Sequence, residues 1–209
     1  MKFNEAETWL IATDPILGAV ILRNGTIEPR QSADYFSELT ESIISQQLSV
    51  KASDTIFRRF KLRTKLEADL VRQLTQEDAK QIGLSGQKLR YLRDLATHFV
   101  EDASVFDHLG LLDDDEVIAE LTKVKGIGIW TAQMFLIFTL GRPNIFAPDD
   151  LGLQRALTIL HTLPQRPTRS EALTLAEVWA PHRSTACLHL WRMLDNEPVS
   201  FNSEQSKPT

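Results

Sequence analysis

The sequence predicts an all-α protein, and two observations support that fold class. Apolar residues recur at three- and four-residue spacing, and these runs begin after residues that favour helix starts and end at glycine or proline. A strand-like pattern is limited to residues 18–23, where we expect a short extended piece. The clearest helical run spans residues 34–60, with apolar side chains four apart at Ile44, Leu48, Ala52, Ile56 and Phe60.

Helical patterns continue along the rest of the chain. Residues 46–49 interrupt the first run, so we expect a turn between two helices there. Residues 129–140 are apolar on nearly every side, which predicts a central and buried helix. The length suits one domain or two small helical lobes over residues 1–197, and residues 198–209 are expected to be disordered. Further helices are expected at residues 75–82, 87–102, 113–122, 148–160, 168–179 and 184–194.

Composition narrows the class of protein. Hydrophobic residues make up 43% and charged residues 24% of the chain, which are ordinary values for a globular protein. The single cysteine, Cys187, excludes an intramolecular disulfide and any four-cysteine zinc or iron–sulfur site, and it favours a reducing compartment. The first ten residues lack a signal-peptide pattern, and no apolar run is as long as a membrane span. We therefore expect no membrane partner.

Charge limits the size of any nucleic-acid interface. The formal net charge of −5 argues against a protein that binds nucleic acid over a broad surface. Residues 121–142, however, contain Lys123, Lys125 and Arg142 but no Asp or Glu. The sequence therefore allows a small basic footprint with few phosphate contacts.

A glycine hairpin joins two helical patterns within residues 121–132. Gly126 and Gly128 permit unusual backbone angles and close backbone approach, and the amides that follow can hold an anion such as phosphate. Lys123 and Lys125 flank the turn and would add positive charge. The alternative is an ordinary tight turn between helices.

Two adjacent carboxylates, Asp149 and Asp150, follow Pro148 where another helix is expected to begin. One of them would serve as the N-cap, which leaves the second for other work. An ionised carboxylate beside a sugar stabilises an oxocarbenium-like transition state or orients an attacking water. We find no second carboxylate with a clear claim to be a general acid, which fits a leaving group that is already cationic, such as an N-alkylated purine.

Four segments together resemble the helix–hairpin–helix DNA glycosylases, most closely the 3-methyladenine DNA glycosylase II branch. They are SIISQQLSVKAS, LTKVKGIGIWTA, FAPDD and WAPHRSTACLHLW, within residues 35–195. The resemblance implies two helical lobes with an active-site cleft between them and a target nucleotide flipped out of the duplex. It implies that Asp150 is catalytic and that Gly126 and Gly128 offer amides to a DNA phosphate. It also implies a Na⁺ or K⁺ site on the carbonyls of Thr122, Val124 and Ile127, with no cofactor required.

The resemblance further implies which residues surround the flipped base. In members that also cleave the strand, a Schiff-base lysine occupies the position of Trp130, so we expect no lyase activity. The indole instead offers a face to a cationic purine, worth about 1–2 kcal/mol, unless it packs in the core. Met134, Leu151 and His182 stand at the other matching positions, where relatives carry more aromatic residues. His182 either lines this base pocket or caps the final helix.

Other contacts to DNA follow from the same resemblance. Gln47 or Leu48 would be the wedge that fills the gap left by the flipped base, although Leu48 also suits a core position. Thr131 is a further expected DNA contact.

The function expected is therefore monofunctional hydrolysis of alkylated purines, such as 3-methyladenine and 7-methylguanine, from double-stranded DNA by a monomer. We expect it in a bacterial cytoplasm or nucleoid, or in a eukaryotic nucleus. The alternatives are a bifunctional glycosylase/lyase for oxidised bases and a non-catalytic protein that binds DNA structure. Trp130 speaks against the first, and Asp150 with the acidic net charge speaks against the second.

Overall fold

The computed structural model describes residues 2–28 and 31–195, and within them it contains helices and no strand. The predicted all-α fold is confirmed. The expected disordered tail lies outside the described residues. Two short 3-10 helices span Leu109–Leu111 and Glu177–Trp179. The α-helices are α1 (Glu5–Thr13), α2 (Pro15–Asn24), α3 (Tyr35–Ser45), α4 (Val50–Thr64), α5 (Ala68–Arg72), α6 (Gln76–Ile82), α7 (Gly86–Glu101), α8 (Ala103–Phe106), α9 (Asp114–Leu121), α10 (Ile129–Phe138), α11 (Leu151–Leu160), α12 (Arg169–Ala176) and α13 (Arg183–Asp195).

The helices form two compact units. One unit combines the beginning and the end of the described chain, residues 2–27 and 148–195, and the other contains residues 28 and 31–147. In the first unit α13 packs against α2 and α11, and in the second α7 packs against α3 and α5. Each unit has its own apolar core; fully buried examples are Leu10, Leu17, Ile21, Leu153 and Leu190 in the first and Ile43, Phe60, Leu89, Leu92 and Leu136 in the second.

The extended piece predicted for residues 18–23 is wrong, because these residues belong to α2. Asp14 caps this helix through Oδ1, which accepts hydrogen bonds from the Ile16 and Leu17 amides at 2.9 and 3.1 Å. Pro15 occupies the first helical position, where its fixed φ angle suits a helix and its missing N–H costs nothing. This local start signal outweighs the β-branched residues that follow.

A buried hydrogen-bond network joins α1 to α13, the first and last helices of the first unit. The carboxylate of Glu7 is fully buried and accepts hydrogen bonds from the Ile27 amide and the Thr26 hydroxyl, both at 2.7 Å. His189 on α13 is also fully buried, and its Nε2 lies 3.2 Å from Glu7 Oε1. Asn24 Nδ2 lies 3.4 Å from Nδ1 of the same ring. A neutral imidazole that donates from Nε2 and accepts at Nδ1 satisfies both contacts.

The second unit confirms the turn expected at residues 46–49, because α3 ends at Ser45 and α4 begins at Val50. The helix expected at 75–82 is confirmed as α6, with Thr75 as its N-cap and Gly83 as its C-cap. Local capping signals therefore fix the boundaries of α6.

The expectation that residues 129–140 are buried all round is wrong at both ends of α10. Ala132, Leu136 and Ile137 are buried in the middle of the helix, whereas Trp130 is 45% exposed and Phe138 is 42% exposed. The middle of α10 therefore belongs to the core, whereas its two ends reach the surface.

Candidate active site and nucleic-acid interface

The glycine hairpin joins α9 to α10 in the second unit. Its turn is closed by two backbone hydrogen bonds of 3.1 Å, from the Val124 amide to the Leu121 carbonyl and from the Ile127 amide to the Val124 carbonyl. Gly128 is the N-cap of α10, and no side chain caps this helix. The N-cap residue therefore offers no acceptor to the first turn of α10, and a helix start of this kind suits an external anion.

The two glycines of the hairpin differ in whether the surrounding protein would accept another residue in their place. Gly126 has a φ of +89°, and a Cβ at that position would lie 2.3 Å from Cδ2 of Tyr91. Gly128 is extended, and a Cβ there would meet nothing within 4 Å. The fold itself therefore requires glycine at 126, whereas only something outside the protein would require it at 128.

Both lysines that flank the hairpin are paired with carboxylates in the protein without DNA. Lys123 Nζ lies 2.6 Å from Glu120 Oε1, and Lys125 Nζ lies 2.7 Å from Asp94 Oδ1. Burial works to raise the pKa of Asp94, but the hydrogen bonds and charge of Lys125 outweigh it and hold that pKa below its usual value. Because both lysines are exposed, these pairs are weak, and each ammonium can exchange its carboxylate for a phosphate.

The turn between α3 and α4 is attached to the hairpin. Gln46 Nε2 donates a hydrogen bond of 2.9 Å to the Gly126 carbonyl. Gln47, next in sequence, adopts a φ of 58° and is exposed. Leu48 is 39% exposed, so its alternative assignment as a core position is wrong. The two predicted wedge residues thus stand at the surface on a turn anchored to the hairpin.

Lys88 of α7 stabilises the same turn through hydrogen bonds. Its ammonium donates to the carbonyls of Ile44 and Gln46 at 2.6 and 2.8 Å, at the C-terminal end of α3. A cation is favoured at this end of a helix, where carbonyls lack intrahelical partners. Burial lowers the pKa of Lys88.

Two of the residues predicted on α10 line one cavity in the second unit. The cavity has a volume of about 220 Å³ and lies between α3 and α10. Met134 is one of its apolar walls, with Phe135 and Phe138 beside it. Thr131 also lines it but is buried, which leaves its side chain little surface for the expected DNA contact.

Asp150 is the N-cap of α11 in the first unit. Its Oδ1 accepts a hydrogen bond from the Leu153 amide at 2.8 Å and another from the Trp191 indole Nε1 at 2.9 Å. The carboxylate is thereby held by one bond from its own helix and one from α13. The sequence argument assigned the cap to one Asp and left the other for chemistry, and that division is wrong because Asp150 itself is the cap.

The other carboxylate of the pair is turned to a different partner. Asp149 forms an ion pair with Arg169 at the start of α12, and both side chains are exposed. Gly152 leaves room for the Asp150 arrangement, because a Cβ there would lie 3.0 Å from Asp150 Oδ1 and 3.2 Å from the Trp191 ring. Glycine at 152 thus lets the indole reach the carboxylate.

The remaining predicted base-pocket residues of the first unit, Leu151 and His182, lie between Asp150 and Trp191 in the sequence. Leu151, the first residue of α11, is 65% exposed. His182 directly precedes α13, and its carbonyl accepts the Ala186 amide at 3.1 Å. Its ring packs edge-on against Trp9 at a centroid distance of 5.2 Å.

The hairpin carbonyls predicted to hold a monovalent cation have lone pairs to offer such an ion. Within the residues that the structure describes, no protein hydrogen bond reaches the carbonyl oxygens of Thr122 or Ile127. The Val124 carbonyl accepts one, from the Ile127 amide, and keeps a second lone pair. Backbone carbonyl oxygens are ligands for Na⁺ and K⁺.

Comparison with known proteins identifies the family. The profile of the HhH-GPD superfamily of base excision DNA repair proteins matches residues 40–182, more than half of the chain. The chain belongs to this superfamily. DNA-3-methyladenine glycosylase 1 of Schizosaccharomyces pombe is 31% identical over 199 residues, 91% of this chain and 87% of that protein.

Solved structures of HhH-GPD proteins share the fold. The 3-methyladenine DNA glycosylase of Schizosaccharomyces pombe, in complex with abasic DNA, matches with a TM-score of 0.81 and 30% identity over 92% of this chain and 97% of that chain. The DNA-3-methyladenine glycosidase of Bacillus halodurans matches with a TM-score of 0.82 and 30% identity over 92% and 90%. The resemblance stated from the sequence motifs is therefore confirmed.

In each unit, some residues that contact the predicted site residues were not assigned a role from the sequence. They are Gln46, Lys88, Tyr91, Gly152 and Trp191. Two of them carried a signal, since Gln46 lies in the predicted turn and Trp191 ends the last matching motif. Among the described residues, no cluster of three or more His, Cys, Asp or Glu side chains suits a metal ion, and no helix has the length and apolar character needed to cross a bilayer.

Proposed function

We propose that this HhH-GPD protein is a DNA glycosylase that hydrolyses the N-glycosidic bond of alkylated purines in duplex DNA and leaves an abasic site. The observation that carries the proposal is the fixed carboxylate of Asp150, held through Oδ1 by the Leu153 amide and the Trp191 indole. Relatives named 3-methyladenine glycosylases support the choice of substrate.

Asp150 acts on the sugar rather than on the base. As the bond to the base breaks, positive charge develops on the sugar, and a nearby carboxylate stabilises it or orients the attacking water. The two hydrogen bonds keep the carboxylate in one orientation, so little reorganisation is needed during the reaction. An N-alkylated purine carries a positive charge, so it leaves as a neutral base without a general acid.

The base is held by the apolar side chains of α10. Trp130 offers an indole that is 45% exposed, and a cationic purine over its face gains cation–π energy of about 1–2 kcal/mol. Met134 and Phe138, on the same helix, line the cavity between α3 and α10. Because an indole cannot form an imine, the enzyme is monofunctional and does not cleave the strand.

The hairpin and the turn at 46–49 hold the DNA. A phosphate accepts hydrogen bonds from the uncapped amides at the start of α10, next to Gly128. Leu48 or Gln47 fills the gap left by the flipped nucleotide. The carbonyls of Thr122, Val124 and Ile127 would hold a Na⁺ or K⁺ ion, which supplies positive charge at the phosphate. We place the activity in the compartment that contains the genome.

The test measures release of free bases from duplex DNA methylated at N3 of adenine and N7 of guanine, analysed by chromatography. We expect methylated purines in solution, abasic sites in the DNA and no covalent adduct with borohydride. Borohydride trapping together with strand cleavage would indicate the bifunctional alternative. Tight DNA binding without base release from any methylated substrate would indicate the non-catalytic alternative.

A further inference from the structure

Positive charge is concentrated in the second unit, outside the hairpin. Residues 50–101, from α4 to α7, contain eleven Lys or Arg and seven Asp or Glu, whereas the whole chain contains 23 and 28. This segment is therefore basic although the protein is acidic. The hairpin lysines, by contrast, are both paired with carboxylates.

Three arginines in this segment have no acidic partner. Arg58, Arg59 and Arg90 are exposed, and within the described residues none of them forms an ion pair or a hydrogen bond through its side chain. Neighbouring arginines do have partners, since Arg63 pairs with Asp78 and Arg72 pairs with Glu101. The three arginines define what we call the basic strip.

The basic strip continues from the hairpin. Lys125 and Arg90 line the same open depression. Arg90 Nη1 lies 4.0 Å from the place a Cβ would take on Gly86, and Arg59 Nη1 lies 3.9 Å from the same place on Gly83. Gly83 is the C-cap of α6 and Gly86 is the first residue of α7, so they mark the two ends of the short turn between these helices. The positive groups therefore run from the hairpin, over this turn, to α4.

We infer that the basic strip binds the phosphate backbone of duplex DNA beyond the phosphates held by the hairpin. Guanidinium groups pair with phosphate through parallel hydrogen bonds, and a duplex carries a negative charge about every 1.7 Å along its axis. The charge of these arginines is not neutralised by a neighbouring carboxylate, so it is available to attract such a polyanion. The strip touches no base, so it adds affinity for DNA and not selectivity for damage. This inference rests on the proposed function, since it takes DNA as the partner.

The test is the salt dependence of DNA binding by the full chain. The variant Arg59→Gln/Arg90→Gln is compared with the native protein by fluorescence anisotropy on a labelled, undamaged short duplex over a series of NaCl concentrations. Loss of two phosphate contacts should make the slope of log affinity against log salt shallower by about 1.8. Arg72→Gln is the matched control, because it removes the same kind of charge from a residue already paired with Glu101. Its slope should equal that of the native protein.

Base release separates this inference from the proposed function. At saturating enzyme, the double variant should release methylated purines at the native single-turnover rate, since the strip does not touch the reacting atoms. A native slope in the double variant, or in the further variant Arg58→Gln/Arg90→Gln, would overturn the inference. An equally reduced slope in Arg72→Gln would also overturn it, because overall charge would then explain the effect. If the native protein released no methylated base, the proposed function would fail instead.

Discussion

Replacement of Gly126 by alanine tests the different roles of the two hairpin glycines. The substitution forces a φ of +89° on a residue with a Cβ, at a cost of about 1–2 kcal/mol. The new Cβ would also stand 2.3 Å from Cδ2 of Tyr91, and overpacking of this kind costs about 1–3 kcal/mol. We therefore expect Gly126→Ala to lower the free energy of unfolding by about 2–5 kcal/mol.

Gly128→Ala is the matched control for that measurement. Its backbone is extended and its Cβ meets no atom within 4 Å, so stability should be unchanged or should rise by about 0.4–1 kcal/mol. DNA binding should weaken, because the methyl group intrudes where the phosphate approaches. Urea denaturation followed by circular dichroism measures the first effect, and anisotropy with duplex DNA measures the second. Equal stability losses in the two variants would refute the reasoning.

The double variant Gly126→Ala/Tyr91→Ala separates the two contributions to that cost. It removes the steric overlap but keeps the positive φ. We expect the Gly126→Ala change to cost less in the Tyr91→Ala background than in the native protein. An unchanged cost would mean that the Tyr91 ring moves aside freely.

Three further predictions concern the anchors of the site and its acid sensitivity. Trp191→Phe removes the indole donor to Asp150 but keeps a ring, so single-turnover base release should fall about tenfold with DNA affinity unchanged; a native rate would contradict this. Lys88→Met leaves two carbonyls without their donor, so DNA affinity and nucleotide flipping, followed by 2-aminopurine fluorescence, should both decrease, and Lys88→Arg should restore part of the loss. Burial lowers the pKa of His189. Burial works to raise the pKa of Glu7, but its hydrogen bonds outweigh this effect and lower it. Protonation therefore destabilises the fold as pH falls below the ordinary pKa of each group, 6.5 for His189 and 4.5 for Glu7. Thermal unfolding temperatures should therefore drop as pH falls below 6.5 and again below 4.5, and the first drop should be absent in His189→Gln.

Helices with local start and stop signals could be predicted from the sequence. Residues 75–82 and 113–122 each begin at a capping box, and the structure places helices there with boundaries within one residue. The segment at 18–23 was misinterpreted because its apolar residues also suit a strand, although Asp14 and Pro15 already marked a helix start. The short helices α5 and α8 were not predicted, since four or five residues carry too little periodicity.

The position of the candidate carboxylate was predictable, but its surroundings were not. Asp150 follows a proline before an apolar helical run, which is a local pattern. The Trp191 bond to it joins residues 41 positions apart, and only the packing of α13 against α11 creates it. The contrast between Gly126 and Gly128 likewise depends on Tyr91, which lies on another helix. Contacts of this kind arise from tertiary structure and leave no periodic signal.

The account depends on the negative charge at position 150, and Asp150→Asn tests it most directly. Asparagine keeps an oxygen for the Leu153 amide and the Trp191 indole, so the fold and the DNA affinity should be retained. The single-turnover rate of 7-methylguanine release, measured at saturating enzyme, should fall by at least about a hundredfold. Asp149→Asn, which loses only the ion pair with Arg169, should keep the native rate. A native rate in Asp150→Asn would contradict the assignment of this carboxylate to the chemistry.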